Sequence, residues 1–186
     1  MNVQTDLRMD KATFLAWVQG REGRHELDDG RVVMMTGGTR AHGRIFRRLA
    51  AALEARLDPD RWEVWTSDFA VDLGPKTIRY PDLVVDTARG ADRDLTATAP
   101  ILIAEVISPS SATDDLGDKA AQYLKMTGLD AYLVLAQDEP KAWIWVRGST
   151  GFPAGAEIIG ADGSIRIPSL SIDLALAEIY GGPKKG

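Results

Sequence analysis

A short apolar run with one carboxylate inside it constrains this chain more than any other segment. Residues 101–107 read Ile-Leu-Ile-Ala-Glu-Val-Ile, so apolar residues flank Glu105 on both sides. A run this short and apolar predicts a buried central strand rather than a helix. An ionised carboxylate in such a strand is strongly unfavourable unless a metal ion, a proton or a cation compensates it. A core arginine would be a structural partner for Glu105, whereas a metal ion would indicate chemistry.

A second carboxylate, Asp82, stands upstream in a similar setting. Residues 78–85 read Ile-Arg-Tyr-Pro-Asp-Leu-Val-Val and predict another strand. Side chains alternate between the two faces of a strand, so Asp82 shares a face with Val84, and Glu105 shares one with Ile103. If the strands are neighbours and these faces coincide, the two carboxylates converge, which suits a divalent cation such as Mg²⁺. The structural alternative is that Asp82 caps a bend after Pro81.

Composition excludes several classes of protein. The chain of 186 residues has no cysteine and two histidines, so disulfides, thiolate metal sites and histidine-rich zinc sites are excluded. No apolar run approaches the length of a membrane span, and residues 1–11 lack the apolar core of a secretory signal. We expect a cytoplasmic protein with one domain over residues 1–186, its motif-bearing core at about 10–147 and a C-terminal extension at 148–186.

The formal net charge of −5 opposes non-specific attraction to nucleic acid. Any nucleic-acid function must therefore depend on a local positive surface. One candidate is a group of four arginines near the start of a predicted helix: Arg40, Arg44, Arg47 and Arg48. A solvated helix face is the alternative interpretation of such a group.

Hydrophobic periodicity and turn signals predict a mixed α/β order of elements. Helices are expected at 11–18, 41–57, 114–126 and 173–180, the third capped by Thr113. Strands are expected at 24–27, 31–35, 62–66, 69–73, 78–85, 101–107, 131–136 and 142–146, with weaker ones near Ile158 and Ile165.

The helix after the Glu105 strand carries a further candidate. Lys119 and Tyr123 are four residues apart, so they share one helix face. One interpretation directs Lys119 at the two carboxylates, where a cation stabilises a developing oxyanion or orients a water. The alternative is a surface pair between Asp115 and Lys119, with Tyr123 serving only as packing.

These residues resemble the PD-(D/E)xK signature of restriction-endonuclease-like proteins. Pro81-Asp82 and Glu105 match it, but the lysine expected two residues after the glutamate is Ile107 here. The chain is more similar to the Uma-type branch of bacterial restriction endonucleases, through 105–110 (Glu-Val-Ile-Ser-Pro-Ser) and 115–119 (Asp-Leu-Gly-Asp-Lys). The resemblance implies that Lys119 replaces the missing lysine.

The resemblance extends upstream through the Glu-Leu-x-x-Gly hairpin at 26–30 and the helix start at Ala41-His42. It implies that Glu26 points to the metal site, as a further ligand or a holder of water. The residues alone leave Glu26 equally open to facing water. His42 faces inward by its spacing from Ile45, and a hydrogen-bonded, partly buried histidine is the alternative to a role in substrate binding.

The resemblance implies a restriction-endonuclease-like α/β fold: a mixed central sheet flanked by helices, with added β-hairpins. It implies a Mg²⁺-dependent endonuclease acting on duplex DNA, with Mn²⁺ as a substitute, and a homodimer. Asp82, Glu105 and the Val106 carbonyl would hold the metal, and Lys119 and Glu26 would complete the catalytic set. Arg40, Arg44, Arg48, His42 and Tyr123 would contact substrate. The alternatives are a nuclease-fold binding module without activity, acting in a defence, mobile-element or regulatory complex, and a hydrolase of another phosphate ester.

Overall fold

The Glu105 strand lies within a six-stranded sheet, as its apolar sequence predicts. The computed structural model describes residues 3–35, 37–108 and 116–181, with side chains from residue 7 onward. Its strands are β1 Val3–Arg8, β2 Arg24–Asp28, β3 Arg31–Met35, β4 Trp62–Thr66, β5 Val71–Asp72, β6 Ile78–Arg79, β7 Leu83–Thr87, β8 Leu102–Ile107, β9 Ala131–Ala136, β10 Ala142–Val146, β11 Glu157–Ile159, β12 Ser164–Ile167 and β13 Ile172–Ala175. Its helices are α1 Lys11–Val18, α2 Arg40–Glu54, α3 Asp118–Tyr123 and α4 Leu176–Tyr180, with a 3₁₀ turn at Pro168–Leu170.

The strands form three sheets. The six-stranded sheet has the order β11-β10-β9-β8-β7-β4, and a five-stranded sheet has the order β1-β3-β2-β6-β5. Strands β12 and β13 form a separate antiparallel pair. Strand β8 runs parallel to β9 and antiparallel to β7, so the larger sheet is mixed, as expected for this fold class.

Both faces of β8 are covered. Leu102 and Ala104 belong to a core shared with Ile45 and Leu49 of α2. Ile103 lies on the opposite face, in a second core that includes Tyr123 of α3. Continuous burial explains why this strand reads as an uninterrupted apolar run rather than as an alternating pattern.

Helix α2 begins where the sequence signal predicts. Thr39 is its N-cap, with its side-chain oxygen accepting the His42 amide at 3.2 Å. Ile45, Leu49 and Leu53 form its buried stripe. The helix ends at Glu54, three residues before the predicted end, because Ala55 is already its C-cap.

The predicted strand over residues 78–85 is wrong as a single element. Its first two residues form β6 of the five-stranded sheet, and its last three belong to β7 of the six-stranded sheet. Tyr80, Pro81 and Asp82 lie between the two sheets. Pro81 has no amide hydrogen and cannot continue a hydrogen-bond ladder, which explains why the strand divides there.

Other differences are local. Strand β1 has no predicted counterpart, the strand predicted at 69–73 is confined to β5, and the predicted helix at 173–180 begins only at Leu176. Of the helix predicted at 114–126, the described part contains α3. Its predicted first residues, the Thr113 cap and the Asp115 pair with Lys119 lie outside the described residues.

A buried arginine connects the five-stranded sheet to α3. Arg79 of β6 donates to Glu26 Oε2 and to Gln122 Oε1, each at 3.1 Å, and also to Asp28 Oδ1. Arg79 is 4% exposed and Glu26 is fully buried. Burial alone would lower the pKa of Arg79, but the carboxylates of Glu26 and Asp28 outweigh it and raise that pKa. Arg79 is therefore protonated and positively charged at physiological pH.

We expect Arg79→Met to lower the free energy of unfolding by about 3–5 kcal/mol, because Glu26 is left as a buried, uncompensated carboxylate. The double variant Glu26→Gln/Arg79→Met should recover part of this loss. Arg166→Met is the matched control, since its pair with Asp173 is exposed and should contribute at most about 1 kcal/mol. Urea denaturation measures all three. Equal effects of Arg79→Met and Arg166→Met would contradict a buried role for Arg79.

Candidate functional site

Asp82 immediately precedes β7 and lies beside Val106, the β8 residue that follows Glu105. It is 7% exposed, and its Oδ2 atom accepts the Val106 amide at 2.8 Å. The same oxygen lies 3.0 Å from His42 Nε2. Asp82 therefore bonds to a neighbouring strand and to α2, which is a different role from capping the bend after Pro81.

The strand register gives the two candidate residues neighbouring positions, while their side chains contact different helices: Asp82 contacts His42 of α2, and Glu105 contacts Lys119 and Tyr123 of α3. Strands β7 and β8 are neighbours, as a shared site requires, and Val84 pairs with Ile103. The next pair is Leu83 with Ala104. Continuing this register by one residue places Asp82 opposite Glu105. Asp82 lies just outside the ladder, where its backbone is free of the strand constraint.

Glu105 has a cation and a hydroxyl as neighbours. It is 4% exposed, and its Oε1 atom lies 3.3 Å from Lys119 Nζ and 3.4 Å from the Tyr123 hydroxyl. Lys119 is itself 9% exposed, so it is not a solvated helix residue. The cation that Glu105 requires is thus a lysine from α3 rather than a core arginine, and Lys119 and Tyr123 face the strand together.

Glu26 is engaged on both carboxylate oxygens. Its Oε1 atom accepts the Tyr80 amide at 2.9 Å, and its Oε2 atom accepts Arg79. Its full burial contradicts the interpretation that it faces water. Burial, and then the Glu26 charge, raise the pKa of Tyr80. These contacts hold the segment that leads into Asp82.

Asp86 shows what a purely structural buried carboxylate looks like here. It lies four residues after Asp82, and its two oxygens accept the amides of Thr98 and Ala99 at 2.8 and 2.7 Å. These bonds fasten the loop before β8. Asp82, by contrast, uses a single oxygen for both of its contacts, and one of those contacts is an ionisable imidazole.

His42 is held in the first turn of α2. Its side chain is 17% exposed, and its ring meets Phe46 edge-on with centroids 5.7 Å apart. Thr39, which caps this turn, also donates to Gln137 Oε1 at 2.6 Å. His42 is therefore a partly buried, hydrogen-bonded histidine whose partner is the candidate metal ligand Asp82.

The arginines of α2 divide into two groups. Arg48 is half-buried and donates to the Ile179 carbonyl at 3.2 Å, which ties α2 to α4. Arg40, Arg44 and Arg47 are exposed. Their i, i+4, i+7 spacing aligns them in one stripe, which begins two residues from His42.

Sequence reasoning missed Arg79 as part of the site. A charged residue beside Ile78 in a predicted strand was a usable signal, by the same argument that identified Glu105. It also gave Arg47 no role among the substrate contacts, although helical spacing places it with Arg40 and Arg44.

The two candidate carboxylates suit a metal ion that takes some of its remaining ligands from the substrate. Within residues 3–35, 37–108 and 116–181, no three or more acidic, histidine or cysteine side chains cluster closely enough to enclose a metal ion. Mg²⁺ commonly takes one or two carboxylates, several waters and substrate phosphate oxygens rather than a complete protein cage. Asp82 and Glu105, adjacent in register, fit that pattern. Residues 109–115, which include the Pro-Ser part of the family motif, lie outside the described residues.

None of the described helices has both the length and the apolar character needed to span a membrane. This agrees with the sequence, which has no long apolar run.

Comparisons with known proteins identify the family and the fold. Two uncharacterized proteins of Synechocystis are each 26% identical to the chain, one over 94% of this chain and 93% of its own length, the other over 74% and 80%. The crystal structure of a "putative nuclease belonging to DUF820" from Anabaena variabilis superposes with a TM-score of 0.75 at 16% identity. The match covers 92% of this chain and 97% of that one, and shows the shared fold. A family model described as "Uma2: Putative restriction endonuclease" matches residues 12–177. The chain therefore belongs to the Uma2 family and has a restriction-endonuclease-like fold.

Proposed function

We propose that the chain is a divalent-metal-dependent endonuclease that hydrolyses phosphodiester bonds of duplex DNA. The observation that carries this proposal is that Asp82, just before β7, and Glu105, on the neighbouring strand β8, are both buried, with Lys119 3.3 Å from Glu105. Two carboxylates and a lysine in an apolar setting are costly to bury, and metal-assisted phosphoryl chemistry is a use for that arrangement.

Asp82, Glu105 and the Val106 carbonyl would hold Mg²⁺, with Mn²⁺ as a substitute. When bound, the ion would lower the pKa of a water and neutralise charge on the scissile phosphate. The Val106 amide and His42 fix the Asp82 carboxylate, so it needs little reorganisation to act as a ligand. Tyr123 and Lys119 do the same for Glu105.

Lys119 would orient the attacking water or stabilise negative charge that develops on the phosphate. Its position on α3 supports the idea that it replaces the lysine absent at residue 107. Glu26 would act on the site through the Tyr80 amide and Arg79 rather than by touching substrate. A homodimer in the cytoplasm is part of this proposal, since cutting both strands of a duplex requires two sites.

The stripe of Arg40, Arg44 and Arg47 would follow the phosphate backbone away from the site. This positive surface offers the local attraction that a chain of net charge −5 needs. Arg48 remains a substrate-contact candidate from sequence, but its bond to the Ile179 carbonyl favours a structural role.

A second candidate is a nuclease-fold binding module without activity. Ile107 at the superfamily's lysine position and the acidic overall charge favour it. The two candidates share the fold and the arginine stripe, and differ in whether a phosphodiester bond is broken.

The first prediction of this proposal concerns cleavage. In Mg²⁺ or Mn²⁺ the wild-type protein should nick plasmid DNA, and Asp82→Asn and Glu105→Gln should reduce nicking to background because the metal loses a ligand. Lys119→Met should lower the rate about 100-fold. The exposed Asp173→Asn is the matched control and should leave the rate unchanged. Equal nicking by all variants would indicate a contaminant, and a folded but inactive wild type would favour the binding module.

The second prediction concerns metal-linked stability. Mg²⁺ at 100 times its Kd should stabilise the fold by about 2.7 kcal/mol, because it binds only the folded state. For a chain of this size that corresponds to a melting temperature about 5–10 °C higher. Glu105→Gln should remove most of the shift, and Asp173→Asn should retain it. Calorimetry with and without EDTA measures the effect, and an unchanged wild-type melting temperature at millimolar metal would argue against a shared site.

The third prediction concerns the arginine stripe. Removing one phosphate contact should reduce the slope of log K against log salt concentration by about 0.9. Arg44→Gln and Arg47→Gln should each do so in a binding titration on duplex DNA. Arg166→Gln, an exposed arginine on β12, should leave the slope as in wild type. Unchanged slopes for all three variants would remove the stripe from the DNA interface.

A further inference from the structure

A small pocket lies beside the segment that leads into Asp82. It has a volume of about 180 Å³, and its lining includes Arg24, His25, Asp68 and Tyr80. Leu27 pairs with Ile78 between β2 and β6, and continuing this antiparallel register places His25 opposite Tyr80. Tyr80 precedes Asp82 by two residues, so about 7 Å of extended chain separates the pocket wall from the candidate site.

Two residues of the pocket wall each carry a buried nitrogen whose hydrogen-bonding capacity is unused. Among the described residues, Arg24 Nε and His25 Nδ1 are shut off from solvent and have no hydrogen-bond partner. Buried nitrogens are nearly always paired, so two neighbouring exceptions in the wall of one pocket require an explanation. A guest molecule that draws one of these side chains into the pocket and pairs its nitrogen is such an explanation.

The surroundings hold the two side chains near the pocket. Arg24 Nη2 donates to the Ser67 carbonyl at 2.8 Å, which anchors the guanidinium. The His25 ring meets Trp17 edge-on with centroids 5.1 Å apart, and Arg21 covers the Trp17 ring at 4.2 Å. In the lining itself, His25 and Tyr80 supply aromatic rings, which suit a flat guest.

Size and charge narrow the class of guest. Pockets for drug-sized ligands begin at about 300 Å³, so this one admits a single small ring system. A phosphate group accepts hydrogen bonds and carries negative charge, so its site would contain donors alone. This lining instead combines the Arg24 guanidinium with the Asp68 carboxylate. A nucleobase edge presents donors and acceptors side by side, and its face stacks on aromatic rings.

We propose that this pocket accepts one unpaired nucleobase of the nucleic acid bound at the Asp82–Glu105 site. The proposal rests on the proposed function and adds to it a substrate class, nucleic acid with an unpaired base within a few nucleotides of the cleaved bond. Binding turns Arg24 or His25 toward the base, which pairs their unused nitrogens. An extrahelical base enters most readily at a mismatch, a bulge or a single strand, where little pairing is lost.

The test compares two duplexes that differ only in the base. One carries a single bulged purine, and the other carries an abasic site at the same position. Binding is measured by fluorescence anisotropy with Ca²⁺ in place of Mg²⁺. The wild-type protein should bind the bulged purine about tenfold more tightly, the preference expected of one stacked base.

Arg24→Gln and Asp68→Asn should each abolish this preference, and Asp68 is exposed, so its variant tests the pocket with little risk to folding. Arg166→Gln is the control, an exposed arginine on β12 outside the pocket lining, and should retain the preference. Melting curves establish that each variant is folded.

Equal affinity of the wild type for the two duplexes, or a preference that survives in both pocket variants, would overturn the pocket assignment. The proposed function would then stand or fall separately on the plasmid assay. Failure to bind either duplex, together with no nicking, would overturn the proposed function and this inference with it.

Discussion

The burial of Glu105 in the middle of an apolar strand is the constraint on which the rest of this structure depends. A carboxylate in that position needs a compensating charge within contact distance, and α3 supplies it through Lys119, with Tyr123 adding a hydroxyl. Helix α3 must therefore pack against that face of β8 with its Lys119 and Tyr123 side toward the strand. The same burial excludes bulk water, which strengthens each electrostatic interaction in the site.

Asp82 lies where the chain passes from the five-stranded sheet to the six-stranded sheet. The β6 strand ends in the smaller sheet, Pro81 breaks the ladder, and β7 begins in the larger sheet. The Tyr80 amide is fastened by Glu26, and Glu26 is neutralised by Arg79, which also reaches Gln122 of α3. One buried ion network thus connects the residues before Asp82 to the helix that carries Lys119. Geometry at the site and stability of the fold are coupled through it.

Much of this architecture could be predicted from sequence because its signals are local. The apolar run around Glu105 identified the central strand, and spacing on one helix face correctly grouped Lys119 with Tyr123. Pro81 marks the point where residues 78–85 divide, but the sequence could not reveal that the two parts belong to different sheets, because their sheet partners are distant in the chain. Arg79 was missed for a related reason: its partners Glu26, Asp28 and Gln122 are 43 to 53 residues away in the chain. The role of Arg48 likewise depends on the distant Ile179 carbonyl.

The measurement that tests the central claim most directly is a crystal structure of the protein soaked in Mn²⁺, with anomalous scattering to locate the ion. The account predicts one strong anomalous peak between the Asp82 and Glu105 carboxylates, with an oxygen of each within about 2.2 Å of the ion. Side chains directed to opposite sides of the sheet, or a peak that touches neither carboxylate, would contradict a shared metal site and leave only the fold.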